Sequence, residues 1–298
     1  MTEGIPTEPI PFRVLLDEAM KLTRRHFAKM YLPVAIPLAL LSGVVVVFQL
    51  RYLQGVAGGG AANPFSSGGC LAFVGLMTVW LAMSAFTSAV LTAAAVDGAG
   101  GRPISMKDKW TFILRPSTLG TLLLALVAIV VGFCLLILPG IYASLRLSFL
   151  IPVMAAEGLT STAAMRRSWD LVKYNPGKRF LDNTATKIFL LYLVAGLIGW
   201  LVSLVVQLPF TAMKGVATAR NIAAGQPGGM PSGAELWAQV PTQMLGQLVS
   251  TAVNIYSSFG LVLLYLDVVR RKEGKDLASA IDARFGGASP AAPLDPPI

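Results

Sequence analysis

Histidine occurs once in the 298 residues, at His26, and cysteine twice, at Cys70 and Cys134. A zinc or iron centre needs several clustered His, Cys or carboxylate ligands, and no such spacing is present. The HExxH, GxSxG, Walker and CxxC patterns are missing too, so no catalytic residue, metal ligand or cofactor is assigned. The two cysteines read as small apolar residues. Charge is scarce: Asp, Glu, Lys and Arg make up 13% of the chain, against about 25% in soluble domains. The net charge of +9 does not imply nucleic acid, because the basic residues flank apolar runs and build no domain of their own. A cleavable leader pattern is also lacking. The first thirty residues hold five basic and four acidic residues and no apolar run, so the first span is expected to act as its own insertion signal.

What is present is apolar sequence, 55% of the residues, gathered into runs long enough to cross a bilayer. The expectation is an all-α, polytopic membrane protein with six transmembrane helices and additional interfacial amphipathic helices. The spans fall at about 30–49, 70–96, 119–138, 141–156, 188–210 and 244–269. Residues 1–10 are Pro-rich and expected to be flexible, 11–285 form the membrane domain, and 286–298 form a Gly/Ala/Pro-rich disordered tail. Basic residues test the count. Twenty of the 24 Lys and Arg lie in the segments that six spans place on one side, and three lie on the other. That bias puts both termini in the cytoplasm and the protein in the cytoplasmic (inner) membrane.

Two segments have helical amphipathic spacing. In residues 12–29, Phe12, Leu15, Ala19 and Leu22 oppose Arg13, Asp17, Lys21 and Arg24, with Asp17 and Lys21 spaced as an i,i+4 pair. In residues 161–173, Ala164, Met165, Ser168, Trp169 and Val172 oppose Arg166, Arg167, Asp170 and Lys173. Both are expected to lie on the inner surface, with Arg166, Arg167 and Trp169 at anionic headgroups. Packing on other protein is the competing expectation for 12–29. Thr160, Ser161 or Thr162 is expected to cap the second helix, which stops at Asn175-Pro176-Gly177. Pro139-Gly140 reads as the turn between spans three and four, and Pro152 as a kink in span four. A short helix is expected near Ser105–Lys109 and Trp110. Small-residue stripes recur in span two (Ser84, Ser88, Thr92) and span five (Gly196, Gly199, Ser203, Gln207), as in close helix packing.

Arg146 is the most unusual residue. It lies five positions past Ile141, roughly 8 Å below the outer surface at ~1.5 Å per residue. An arginine there costs at least ~2.5–3.5 kcal/mol on insertion scales and needs a partner, a wet cavity or a route to the headgroups. No carboxylate is expected at its depth. Gln247, Ser250, Thr251 and Asn254 of span six are, so a shared polar cavity is one expectation and snorkelling the other. At the inner end Glu157, Asp267, Arg270 and Arg271 fall at one depth. Asp267 is expected to pair with Arg271, and Glu157 with Arg270, as a lock or docking surface.

LPGIYASLRLSFLIPVMAAEG, followed by AMRRSWDLVK and Asn175, resembles a bacterial membrane-domain family. It is found fused ahead of some glycerophosphodiester phosphodiesterases and also alone. The run Tyr265-Leu266-Asp267-Val268-Val269-Arg270-Arg271-Lys272-Glu273-Gly274-Lys275-Asp276-Leu277 is similar to its closing motif. The resemblance implies a six-span helical protein without catalytic residues, since the phosphodiesterase chemistry belongs to a separate soluble domain. The expected function is therefore non-enzymatic: a membrane-organising, lipid-linked or partner-scaffolding role. Its partners would be membrane lipids with anionic headgroups and a protein on the cytoplasmic face. The alternative is a transporter or channel component with a polar cavity lined by Arg146 and span six. An intramembrane enzyme is the third class, for which no nucleophile–base set is present.

Overall fold

The computed structural model describes residues 10–57, 67–173, 183–223, 237 and 239–285. The expected flexible N-terminus, the stop at Asn175-Pro176-Gly177 and the tail from 286 lie outside these, apart from Ile10. Among the described residues there are helices and no strands. They are α1 (Phe12–Ala57), α2 (Ser67–Ala99), α3 (Met106–Ile113), α4 (Pro116–Leu135), α5 (Ile137–Leu147), α6 (Leu150–Glu157), α7 (Ser161–Leu171), α8 (Thr184–Ala223) and α9 (Gln239–Phe285). Six stretches are long and apolar enough to cross a membrane: Phe12–Leu50, Thr78–Ala99, Pro116–Leu135, Ile137–Glu157, Thr184–Pro209 and Gln239–Gly274. The chain is a multi-pass membrane protein.

The long helix α9 is the centre of the bundle. It packs lengthwise on α1 and then on α8 and α2. One apolar cluster joins Leu15 of α1 to Leu264 and Val268 of α9, together with Leu147, Val153, Leu171 and Ile188. A second joins Ala19, Met30 and Val34 to Ala94 and Ala95 of α2 and to Ile255 and Phe259. The beginning of α1 and the end of α9 therefore share one end of the molecule, the basic end. The opposite faces of α4, α5 and α8 carry exposed aliphatic and aromatic side chains, such as Val127, Leu138, Trp200 and Val205. A lipid-facing surface has this character, since hydrocarbon solvates such groups without cost.

Residues 12–29 do not form a separate surface helix. They run into span one without a break as one helix of 46 residues. Leu15, Ala19 and Met30 are buried on protein, so the amphipathic stripe reads a helix–helix contact rather than a headgroup layer. The close pair on its outer face is Lys21 with Glu18, at 3.5 Å, not Asp17. The short helix near Trp110 is present as α3. Ser105 caps it by accepting from the Asp108 N–H at 3.4 Å, and Lys109 ties it to Asp97 at the end of α2.

The turn between spans three and four lies at Leu136, whose backbone is extended, and Pro139-Gly140 belongs to the first turn of α5. Proline is tolerated there because the first N–H groups of a helix have no intrahelical acceptor. Gly140 matters for contact instead. A Cβ on it would sit 2.4–2.7 Å from the Phe133 ring, and one on Gly132 would sit 3.0 Å from the Gly140 Cα. These two glycines let α4 and α5 close into a tight hairpin. The break between α5 and α6 falls at Ser148–Phe149. Pro152 has no N–H for the Ser148 carbonyl and its ring crowds that group, so the break sits where this proline puts it. Gly158 closes α6 in the left-handed conformation, φ 69°, which glycine adopts at no steric cost.

Gly140→Ala is expected to lower stability by about 1–3 kcal/mol, as overpacking does. Gly120→Ala, in open space on α4, should be neutral or stabilising by about 0.5–1 kcal/mol. Thermal unfolding of the two variants in detergent checks the contrast, and equal midpoints would remove the steric reason for the glycine.

Candidate functional site

Five of the residues singled out by sequence, Arg146, Glu157, Arg166, Arg167 and Trp169, gather at α7. This helix is short and amphipathic, with Ala164, Ser168 and Leu171 buried and Arg166 and Asp170 exposed. Thr160 occupies the N-cap position without a side-chain hydrogen bond. The Ser161 N–H donates to Oγ1 of Thr121 on α4 at 2.6 Å, so the cap comes from a neighbouring helix and not from the local Ser/Thr run.

Arg146 is buried, 6% exposed, and turned toward α7. Its Nη1 donates to the Trp169 carbonyl at 2.8 Å and its Nη2 to the Tyr142 hydroxyl at 2.5 Å. The guanidinium lies 4.9 Å from the Tyr142 ring centre and 5.3 Å from that of Trp169. The two rings meet edge to face at 5.8 Å. Ser168 returns a bond, donating from Oγ to the Arg146 carbonyl at 2.8 Å. A carbonyl, a hydroxyl and two π-faces thus hold the cation, with no carboxylate. The expected sharing of a cavity with Gln247, Ser250, Thr251 and Asn254 is not what the geometry has. The break before α6 frees the end of α5 to meet α7, and Arg146 is used there. Tyr142 was not singled out from sequence, although its place one turn before Arg146 marks it as a neighbour.

A second knot holds the outer side of α7. Arg167 Nε donates to both Glu157 oxygens, at 3.1 and 3.0 Å, and its Nη2 reaches Glu273 at 3.0 Å. The Tyr265 hydroxyl donates to Glu157 at 2.8 Å. Burial works against the charge of Arg167, but hydrogen bonds and charge from Glu157 and Glu273 outweigh it and hold its pKa above the usual arginine value. Glu157 therefore pairs with Arg167 and not with Arg270: the residue that α9 turns toward Glu157 is Tyr265, and Arg270, five positions on, lies on another face of that helix and is exposed. Asp267 and Arg271 do pair, at 2.7 Å. Lys272 Nζ donates to the Asp170 carbonyl. Tyr265, Lys272 and Glu273 carry these links and were not singled out as site residues.

These knots are built from the segments whose sequence pointed to a known family. The membrane-domain family of glycerophosphoryl diester phosphodiesterase matches residues 112–279. The chain belongs to this family. The match runs from the end of α3 into α9 and leaves α1 and α2 outside it, less than the nearly whole membrane part expected from the motifs. No curated protein and no solved structure matches the chain. The family's match is to its membrane domain, and the α7 clamp lies wholly within it.

Span six has a different site. A cavity of about 340 Å³ lies between α2, α8 and α9. Ser250 and Asn254 line it, as do Ser88 and Thr92 of α2 and Gly196, Gly199 and Ser203 of α8. Gln247 and Thr251 do not: Thr251 is buried and donates to the Gln247 carbonyl at 2.9 Å. Thr92 and Ser258 are linked at 3.2 Å. Among the described residues no charged side chain lines it. The small-residue stripes of spans two and five thus frame an opening as well as a contact.

One ammonium cannot reproduce the planar fork of Arg146 between two rings. Arg146→Lys should lower stability by about 1–2 kcal/mol, the scale of a lost charge-assisted hydrogen bond. Tyr142→Phe keeps the ring and removes the hydroxyl. A double-mutant cycle of the two in detergent should give coupling of about 0.5 kcal/mol or more. Additive effects would mean that the hydroxyl and the cation do not act together.

Proposed function

We propose that the protein is a non-enzymatic scaffold of the cytoplasmic membrane. Both chain ends face the cytoplasm, and the basic end engages anionic lipid headgroups and a protein partner. The observation that carries this reading is the clamping of α7. Contacts from α4, α5, α6 and α9 all converge on this one short helix. They immobilise its backbone and leave Arg166 exposed and Trp169 41% exposed. A rigid helix with an exposed cation and an indole suits docking at the headgroup layer. The polar groups of the clamp are used up on one another, which supports a structural rather than a chemical role. Segregation of twenty basic residues to one side supports the orientation.

A second reading, passage of a small uncharged polar solute, is favoured by the hydroxyl- and amide-lined cavity beside α9. Flux through proteoliposomes that is lost in Asn254→Leu would establish it in place of the scaffold.

A reporter that is active only outside the cytoplasm should be silent at the C-terminus and active near Gly228. A spin label at Arg166→Cys should report the headgroup–acyl boundary. An active C-terminal reporter would overturn the orientation, and a fully aqueous label would overturn lipid docking by α7. Phosphodiester turnover by the purified chain would end the non-enzymatic reading.

A further inference from the structure

A cleft of about 650 Å³ lies on the other side of α9, between α1 and α8. Its walls are apolar. Phe27 and Tyr31 of α1 face Ile198, Val202 and Val206 of α8 across Leu248 and Ala252 of α9. Along α1 it runs from Met20 to Tyr31, eleven steps or roughly 16 Å at helical rise. Two of its polar side chains are already satisfied. Thr23 donates to the Ala19 carbonyl at 2.7 Å, and the Tyr31 hydroxyl donates to the Leu248 carbonyl at 3.3 Å. Arg24 remains. It lies on the same face as Met20 and Phe27, and among the described residues it makes no ion pair. Among the described residues no carboxylate lines the cleft. The nearby Glu18 is paired with Lys21.

The position of Arg24 gives the cleft a direction. Tyr31 bonds to α9 deep in the bundle, whereas Arg24 lies nearer the beginning of α1 and so nearer the basic end. One end of the cleft is thus cationic and the remainder is aliphatic and aromatic. A free anion would find one cation and, beyond it, walls that are almost wholly apolar. A neutral apolar molecule would leave the arginine unpaired. A molecule with an anionic head and long hydrocarbon chains satisfies both ends.

We propose that this cleft is a binding site for one anionic diacyl phospholipid. Its phosphate is held by Arg24, and an acyl chain lies between α1 and α8. The site is separate from the α7 clamp, and α1 lies outside the family match. The inference extends the lipid-linked reading above by naming the lipid class and the residues that hold it.

The test uses the full-length chain purified in detergent, with equal dioleoyl-phosphatidylglycerol and dioleoyl-phosphatidylcholine, read by native mass spectrometry. The wild type should retain the anionic lipid over the zwitterionic one by about tenfold, the scale of one charge-assisted contact. Arg24→Gln should bring the ratio near one. Arg25→Gln, beside the cleft but not lining it, should leave the ratio unchanged. Val202→Trp, which fills the cleft from a lipid-exposed position, should lower retention of both lipids. Excess inorganic phosphate should displace neither, since the chains hold the lipid. A wild-type ratio in Arg24→Gln, unchanged retention in Val202→Trp, or displacement by phosphate would each overturn the proposal. The measurement does not depend on which side of the membrane the basic end faces, so it can fail while the orientation stands, and the reverse.

Discussion

The clasp between Arg146 and α7 is the contact on which the basic end depends. A guanidinium inside an apolar bundle must find partners or impose a cost of several kcal/mol. Here it finds the Trp169 carbonyl, the Tyr142 hydroxyl and two ring faces, and Ser168 bonds back to its own carbonyl. The Trp169 carbonyl lies near the end of α7, where the last carbonyls lack intrahelical donors. One residue therefore meets two needs: the cation is solvated and a helix end is satisfied. α7 cannot shift without exposing both.

The other contacts of α7 depend on that placement. With its carboxyl end held by α5, its amino end reaches Thr121 and Arg167 faces the gap between Glu157 and Glu273. Isolated surface ion pairs contribute little. Here Glu157 accepts from Arg167 and Tyr265 at once, so α6, α7 and α9 are joined through one carboxylate. The residues of this segment of the family match build a joint between four helices.

The two sides of α9 differ in kind. Toward α2 and α8 the walls are hydroxyls, an amide and glycines, without charge. Toward α1 and α8 they are apolar with a single cation at one end. The difference follows from the turn of α9. Ser250, Asn254, Ser257 and Ser258 face one way, while Leu245, Leu248, Val249 and Ala252 face the other, as a period of 3.6 residues requires. Val253 borders both. Each face meets a partner helix of matching chemistry: Ser88 and Thr92 on α2, Phe27 and Tyr31 on α1.

The sequence by itself determined the helical class, the six spans and the segregation of positive charge. These follow from local quantities: an apolar run of sufficient length must close its own backbone hydrogen bonds in lipid, and a proline or glycine interrupts it at a definable place. The amphipathic pattern of 161–173 and the Asp267–Arg271 pair were legible for the same reason, since both lie within one helix. Only the tertiary structure decided what each polar side chain faces. Arg146 and Asn254 share an estimated depth, yet Arg146 turns to α7 and Asn254 to the cavity between α2 and α8. Glu157 meets Arg167 and not Arg270, and the stripe on 12–29 is covered by protein. Depth is written in residue count. Direction around the bundle is set by contacts between distant segments, such as Thr92 with Ser258 and Leu15 with Leu264, and no periodicity within one helix records them.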